Sequence, residues 1–264
     1  MAEKKPAAPA AKPAVKKSTA VATWDERLAA KAAIAKKSEE SVSTGNFVSM
    51  KGGVLMYAGN PVTGNKLDVV VVDFIMENAY YEGKYDPSTP QSPLCFAFGR
   101  DEEEMVPHEK SASKQSNTCS TCEHNEWDSG DSGRGKACKN ARRLALITSD
   151  ALDNGAADIA EAAVAYMKVP VTSVKSWAGY VNQLAAANRP PLAFVTEVSV
   201  TPDAKTQFKV NFKAKEQITD GAMLEALLGK SDVVETLISF PYQATEPVEK
   251  KASAKKVPAK NRKY

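Results

Sequence analysis

Residues 119–138, "CSTCEHNEWDSGDSGRGKAC", hold three of the chain's four cysteines in a stretch that has almost no apolar residue from which to build a core. Such a loop folds only if something other than hydrophobic burial ties it together, and clustered thiols in a reducing compartment do this by holding a metal. Cys119-x2-Cys122 and Cys138, with fifteen residues between Cys122 and Cys138, have the spacing at which a tight knuckle supplies two thiolates and a return strand a third. Zn²⁺ suits this ligand set, and a closed tetrahedral site then needs a fourth ligand. The candidates are His108 in "VPHEK", Cys95 and His124. His108 is the expected one, being freest to reach back. Cys95 alternates with Phe96 in a predicted strand and reads as a small core residue, and His124 follows Cys122 too closely to reach the same ion easily.

Three other chemistries fit the segment less well. Gly130, Gly135 and Lys136 satisfy part of a phosphate-binding loop, but Ala137 stands where a hydroxyl must hold Mg²⁺, and the preceding "CEHNEWDS" is no buried strand. A redox reading of Cys119 and Cys122 lacks a surrounding strand-to-helix unit and leaves the third cysteine unexplained. The zinc deaminase pattern fails at both halves, since Glu109 directly follows His108 and Thr118 precedes Cys119. The chain has 2 His in all, which leaves little material for general acid–base work. The expectation is therefore a protein that is not an enzyme, whose Zn²⁺ is structural and folds the loop with a binding energy on the order of 10 kcal/mol.

Charge is unevenly spread. The formal net charge is +3, yet residues 1–20 carry five lysines against Glu3, and residues 246–264 carry seven Lys or Arg against Glu246 and Glu249. The body is accordingly acidic and both ends are basic. The ends are rich in Lys, Ala and Pro and poor in aromatic residues, so residues 1–22 and 246–264 are expected to be disordered. They serve as solubilising segments or as weak tethers to nucleic acid. No apolar run is long enough to cross a membrane, and "MAEKKPAAPAAKPAVKKSTA" lacks the apolar segment of a secretory signal, so a cytoplasmic protein with no membrane partner is expected.

Between the ends the pattern is mostly β. "TWDERLAAKAAIAKK" (23–37) predicts a helix capped at Thr23 with Glu26. "NFVSMKGGVLMY" predicts strands broken at Gly52-Gly53, and "KLDVVVVDFI" predicts a central strand because its apolar run is continuous. "PLCFAFG" (93–99) and "RRLALIT" (142–148) predict further strands, and "LAFVTEVSV" with "TQFKVNFKA" a hairpin. Phe208 and Phe212 share one face of the last strand, expected to be core, and Lys209 and Lys213 the other. Helices are expected over 153–168, over "TSVKSWAGYVNQLAAAN" with Trp177 on its apolar face, and as two short C-terminal segments in "DGAMLEALLGK" and "SDVVETLIS". This predicts a mainly β domain with inserted helices (α+β) over 23–245, carrying a zinc insertion at about 105–142.

The segment also carries candidate binding groups. Arg134, Lys136, Lys139, Arg142 and Arg143 stand without an acidic residue among them, and Trp127 lies just upstream. Cations that neutralise phosphates and an aromatic face on which a base can stack are what a single strand of nucleic acid requires. Tyr80, Tyr81 and Tyr85, expected in a loop after the long strand, are further stacking candidates. If "RRLALIT" is a strand, Arg142 and Arg143 point to opposite faces and only one of them can serve.

Four stretches, "GNKLDVVVVDFIMENAYYEGKYDP", "PLCFAFGRDEEEMVPHE", the cysteine segment through "ARRLALI", and "KVPVTSVKSWAGYVNQLA", together resemble a family of tailed-bacteriophage single-stranded DNA-binding proteins. The resemblance covers roughly residues 45–213, and the cysteine segment is its specific part. It implies an OB-fold-like barrel with a zinc-stabilised insertion, single-stranded DNA as partner without strong sequence preference, a role beside phage replication and recombination proteins, and no small-molecule substrate. One departure is the basic end "KKASAKKVPAKNRKY", where many such proteins end in an acidic tail. The competing reading is a zinc-ribbon adaptor, related to transcription, whose knuckle presents a protein-binding surface.

Overall fold

A computed structural model describes residues 46–83, 91–131 and 133–242, together with Trp24, Leu28 and Lys31. Both basic ends and Tyr85 lie outside the described residues. The chain divides into two units, residues 1–44 and 45–264. In the first, Trp24, Leu28 and Lys31 are helical and exposed, within the segment where a helix is expected.

The described residues of the second unit form nine strands: β1 (Phe47–Lys51), β2 (Val54–Tyr57), β3 (Asn60–Pro61), β4 (Lys66–Tyr80), β5 (Cys95–Gly99), β6 (Lys139–Thr148), β7 (Ala165–Val169), β8 (Phe194–Asp203) and β9 (Gln207–Gln217). Three α-helices accompany them: α1 (Ala156–Glu161), α2 (Val174–Ala185) and α3 (Gly221–Leu237). All nine strands belong to one sheet in the order β3-β2-β1-β7-β6-β4-β8-β9, with β5 added to β4. β4 is its spine. One edge of β4 pairs with β6 along most of its length, while the other pairs first with β8 and then with β5. The fold is mainly β with inserted helices.

The run Val69–Val72 explains this central place. Val69 and Val71 enter one core with Trp177, Tyr180 and Leu184 of α2, whereas Val70 and Val72 enter a second core with Ile159 of α1 and Leu227 and Val234 of α3. A strand buried on both faces needs no polar alternation, so four valines in succession are tolerated. In the first core Val48 and Leu55 of β1 and β2 join Val198, Val200 and Val210 of β8 and β9, so the sheet curls to bring its two ends over one interior. Among the described residues β3 and β9 do not pair, and the curl stays open.

Register in β4 shifts between Val71 and Asp73. This bulge inverts the alternation beyond it: Phe74 falls in the first core and Ile75 in the second. Every side chain from Met76 to Tyr80 therefore points to the face opposite the one simple alternation would give. Asp73, next to the bulge, is buried and held by both terminal nitrogens of Arg100 at 3.0 and 2.7 Å.

Several elements differ from expectation. The alanine-rich segment 153–168 is only partly helical: α1 ends at Glu161, and Ala165–Val169 is the strand β7, with Ala165, Met167 and Val169 buried in alternation. The high helix propensity of alanine yields there to pairing with β6 and β1. The two C-terminal helices are one continuous α3, capped by Asp220, whose carboxylate accepts from the Met223 N–H at 2.8 Å. β4 runs to Tyr80, so Tyr80 ends a strand and is not in a loop. Gly52 and Gly53, with φ of 58° and 79°, make the two-residue turn of the β1–β2 hairpin, a conformation other residues adopt only with strain.

Candidate functional site

The segment between β5 and β6 is built without a core of its own. The Cys119 N–H donates to the Met105 carbonyl at 2.8 Å, and the Cys122 N–H turns back toward the Cys119 carbonyl at 3.5 Å, which makes the Cys119–Cys122 knuckle. A short 3-10 turn, Glu123–Asn125, follows. The chain then returns so that the Cys138 N–H donates to the His124 carbonyl at 2.7 Å, while Ser129 Oγ accepts from the Ala137 N–H at 3.0 Å. The chain thus turns at Cys119–Cys122 and comes back to Cys138 immediately before β6, so that Cys138 precedes the strand that the cysteine spacing predicts to carry it.

All four thiols are free. They line a single small cavity of about 20 Å³, together with Asn78, Tyr80, Ala97 and Asn125. That volume suits one water-sized body. Burial pushes the Cys138 thiol up to about 12, and the charges of Cys119, Cys122 and Cys95 reinforce the shift, so the four sulfurs sense one another electrostatically. Burial also raises the Cys119 thiol, against the opposing influence of Asn78. Among the described residues no three His, Cys, Asp or Glu side chains stand at metal-holding spacing.

His108 lies elsewhere. Its ring stacks on Phe96 with centroids 5.0 Å apart and meets Phe98 edge-on at 6.0 Å, and its Nδ1 accepts from the Lys110 N–H at 3.1 Å. Alternation along β5 sets Phe96 and Phe98 on one face and Cys95 and Ala97 on the other. His108 thus packs on the face away from Cys95, and it does not line the cysteine cavity. His124, set aside at the outset, stacks on Tyr80 at 4.1 Å with the rings 10° from parallel.

The proposed nucleic-acid contacts separate into two groups. Trp127 is 76% exposed, and Arg134 and Lys139 are exposed as well. Lys139 bends its ammonium to the Lys136 carbonyl at 3.1 Å. Lys136 is partly buried, donates to Asn125 Oδ1 at 3.3 Å, and lines a cleft with Asp101, Glu102 and Glu103. Arg142 is partly buried, and desolvation lowers its pKa.

Arg143 must be withdrawn as a phosphate contact. It is 5% exposed, its Nε meets Glu77 Oε2 at 2.6 Å, and its Nη1 donates to the carbonyls of Ile238 and Phe240 at 3.1 and 2.6 Å. Its guanidinium lies over the rings of Phe98 and Phe240 at 4.2 and 4.0 Å. Lys168 supplies a second cation to Glu77 at 2.6 Å, and the Tyr242 hydroxyl donates to the same carboxylate. Burial alone would raise the Glu77 carboxyl, but Lys168 and Arg143 outweigh it and hold the group below its ordinary value. Tyr81 is partly buried with its ring 6.0 Å from the Lys168 ammonium. This network fastens the segment after α3 to β4, β6 and β7.

Two participants escaped sequence reading. Glu77 and Asn78 break the local apolar run in "FIMENAY" of β4, and that interruption was the available signal for both. Among the described residues no helix is long and apolar enough to cross a membrane. Comparison with protein-family models, with curated proteins and with solved structures finds no match to this chain.

Proposed function

We propose that the protein binds single-stranded DNA without strong sequence preference, and that the segment between β5 and β6, held by a structural Zn²⁺, forms part of the binding surface. The observation that carries this reading is Trp127: a large indole, 76% exposed, on a loop framed by Cys122 and Cys138, with Arg134 and Lys139 exposed on the same segment. An exposed aromatic supplies a stacking face to any base, and flexible cations beside it supply phosphate neutralisation. The curled sheet is compatible with the OB-like barrel that the sequence resemblance implies. On that resemblance the protein coats and protects single strands in phage replication and recombination, within the host cytoplasm, and is not an enzyme.

The second reading, an adaptor that presents the loop to another protein, is favoured by the carboxylates around the indole. Glu123, Glu126, Asp128 and Asp131 are all exposed on the same loop and repel phosphate. Titrating oligo(dT) into the full chain and into Trp127→Ala separates the two. The DNA reading expects the variant to lose affinity by roughly 1–3 kcal/mol with an unchanged salt dependence, since a stacked base carries no counterions away. A wild-type protein that fails to bind oligo(dT) at low salt leaves the adaptor standing.

A further inference from the structure

We infer that the metal of the β5–β6 segment is held by four thiolates, with Cys95 of β5 as the fourth ligand in place of His108 and with the Asn78 side-chain amide donating to the Cys119 sulfur. The inference rests on the reading that this segment holds a metal, and it assigns the ligand set and the support around it.

The first observation is convergence. Cys95, Cys119, Cys122 and Cys138 come from the strand β5, the turn at 119–122 and the residue just before β6, yet all four line one cavity of about 20 Å³. Cys95 has a structural reason to be there. It is the register partner of Tyr80, as Ala97 is of Asn78, and partners across an antiparallel pair share a face. Ala97 packs with Met105 and Cys119, so the face that Cys95 shares is the one turned to the knuckle. His108 is stacked against Phe96 on the other face.

The second observation is an orphaned donor. Asn78 is 3% exposed, lines the cavity, and its Nδ2 has no hydrogen-bond partner among the described residues. Its Oδ1 accepts from Asn140 at 2.5 Å, which fixes the amide and leaves the nitrogen without an acceptor on the cavity wall that Cys119 shares. A buried N–H left without an acceptor is costly, and a neutral thiol is a weak acceptor that offsets little of this. A metal-bound thiolate is the acceptor that the amide lacks. Lys136, which donates to Asn125 Oδ1 on the cavity wall at 3.3 Å, offers a partial counter-charge.

The chemistry balances simply. Each of the four S–H bonds gives its proton to solvent as an S–Zn bond forms, no electron is transferred, and one Zn²⁺ with four thiolates leaves a site of net charge −2. The thiols stand around the cavity wider than ligand spacing, and contraction onto an ion with Zn–S bonds of about 2.3 Å closes the site. Closure would fasten the segment to β5, and through the Asn78 amide to the spine strand β4.

The test uses the full chain, expressed in zinc-supplemented medium, with metal content measured by elemental analysis and Zn²⁺ affinity by chelator competition. Wild type and His108→Ala should each hold one zinc per chain, Cys95→Ser should lose it or bind at least tenfold more weakly, and Asn78→Ala should keep the metal with affinity reduced 10–100-fold. A variant-free arm covers misfolding of Cys95→Ser. Alkylation of the wild-type protein should spare all four cysteines with zinc bound and modify all four after chelation. Zinc-free wild type refutes the metal reading itself. Zinc-loaded wild type in which Cys95 is alkylated, or in which His108→Ala loses the metal, overturns the ligand assignment alone.

Discussion

Replacing Glu77 by Gln removes one charge from the most deeply buried ionic group of the described residues while keeping its shape. Glu77 is 0% exposed and faces Arg143 and Lys168, each at 2.6 Å, along with the Tyr242 hydroxyl. The two cations respond differently to its loss. Lys168 has 39% of its side chain exposed and can turn to water, whereas Arg143 at 6% cannot. Removing one partner of a buried pair costs about 3–5 kcal/mol because the other is stranded, and here two backbone carbonyls and two aromatic faces still accompany Arg143. The expected loss is therefore at the lower end, about 3 kcal/mol. Urea unfolding should show it as a lower midpoint with an unchanged slope, and thermal unfolding as a fall of about 6–12 °C for a unit of this size. The pH dependence has a definite sign. A carboxyl whose folded pKa lies below its ordinary 4.5 contributes stability that is fully present above that value. It is lost as the pH falls through the folded pKa. Wild type should consequently lose stability in acid more steeply than Glu77→Gln, and the two curves should converge below the folded pKa. A loss under 1 kcal/mol at pH 7, or parallel curves through the acid limb, would refute the argument that this pair is paid for by its cations.

Trp177→Ala should destabilise by about 3–5 kcal/mol in chemical denaturation, because the indole is 2% exposed and packs edge-on against both Phe74 and Phe212. Gly99→Val should lower thermal stability by about 1–3 kcal/mol, since an added Cβ would stand 2.5 Å from Met105 Cγ beneath the cysteine knuckle. On the proposed metal reading the variant should keep the zinc content of the wild type, and a lower content would show that Met105 positions the knuckle more tightly than its packing indicates.

How far the sequence could be read depended on whether a feature was local. The central strand was legible because four successive valines are tolerated only where both faces are buried. The knuckle was legible because two residues between cysteines set its geometry directly. β7 was hidden by alanines whose helical preference is overridden only through pairing with two distant strands. The bulge between Val71 and Asp73 was equally hidden, and it decides that Asn78 faces the cysteines while Glu77 faces Arg143. Cys95 read as core because a half-buried cysteine in an alternating strand looks the same whether its neighbour is a leucine or three further thiols. The fate of Arg143 followed from the same limit: a basic run looks uniform in one dimension, and only the strand register divides it between solvent and interior.

The measurement that bears most directly on the central claim is the salt dependence of oligo(dT) binding by the full chain and by Arg134→Ala/Lys139→Ala, both checked to be folded and zinc-loaded. For single strands the slope of log K against log salt is about −0.7 per neutralised phosphate. If these two exposed cations contact the backbone, the double variant should bind every sequence more weakly and its slope should be shallower by roughly 1.4. Unchanged affinity and slope would contradict the account and place any DNA-binding groove away from this loop.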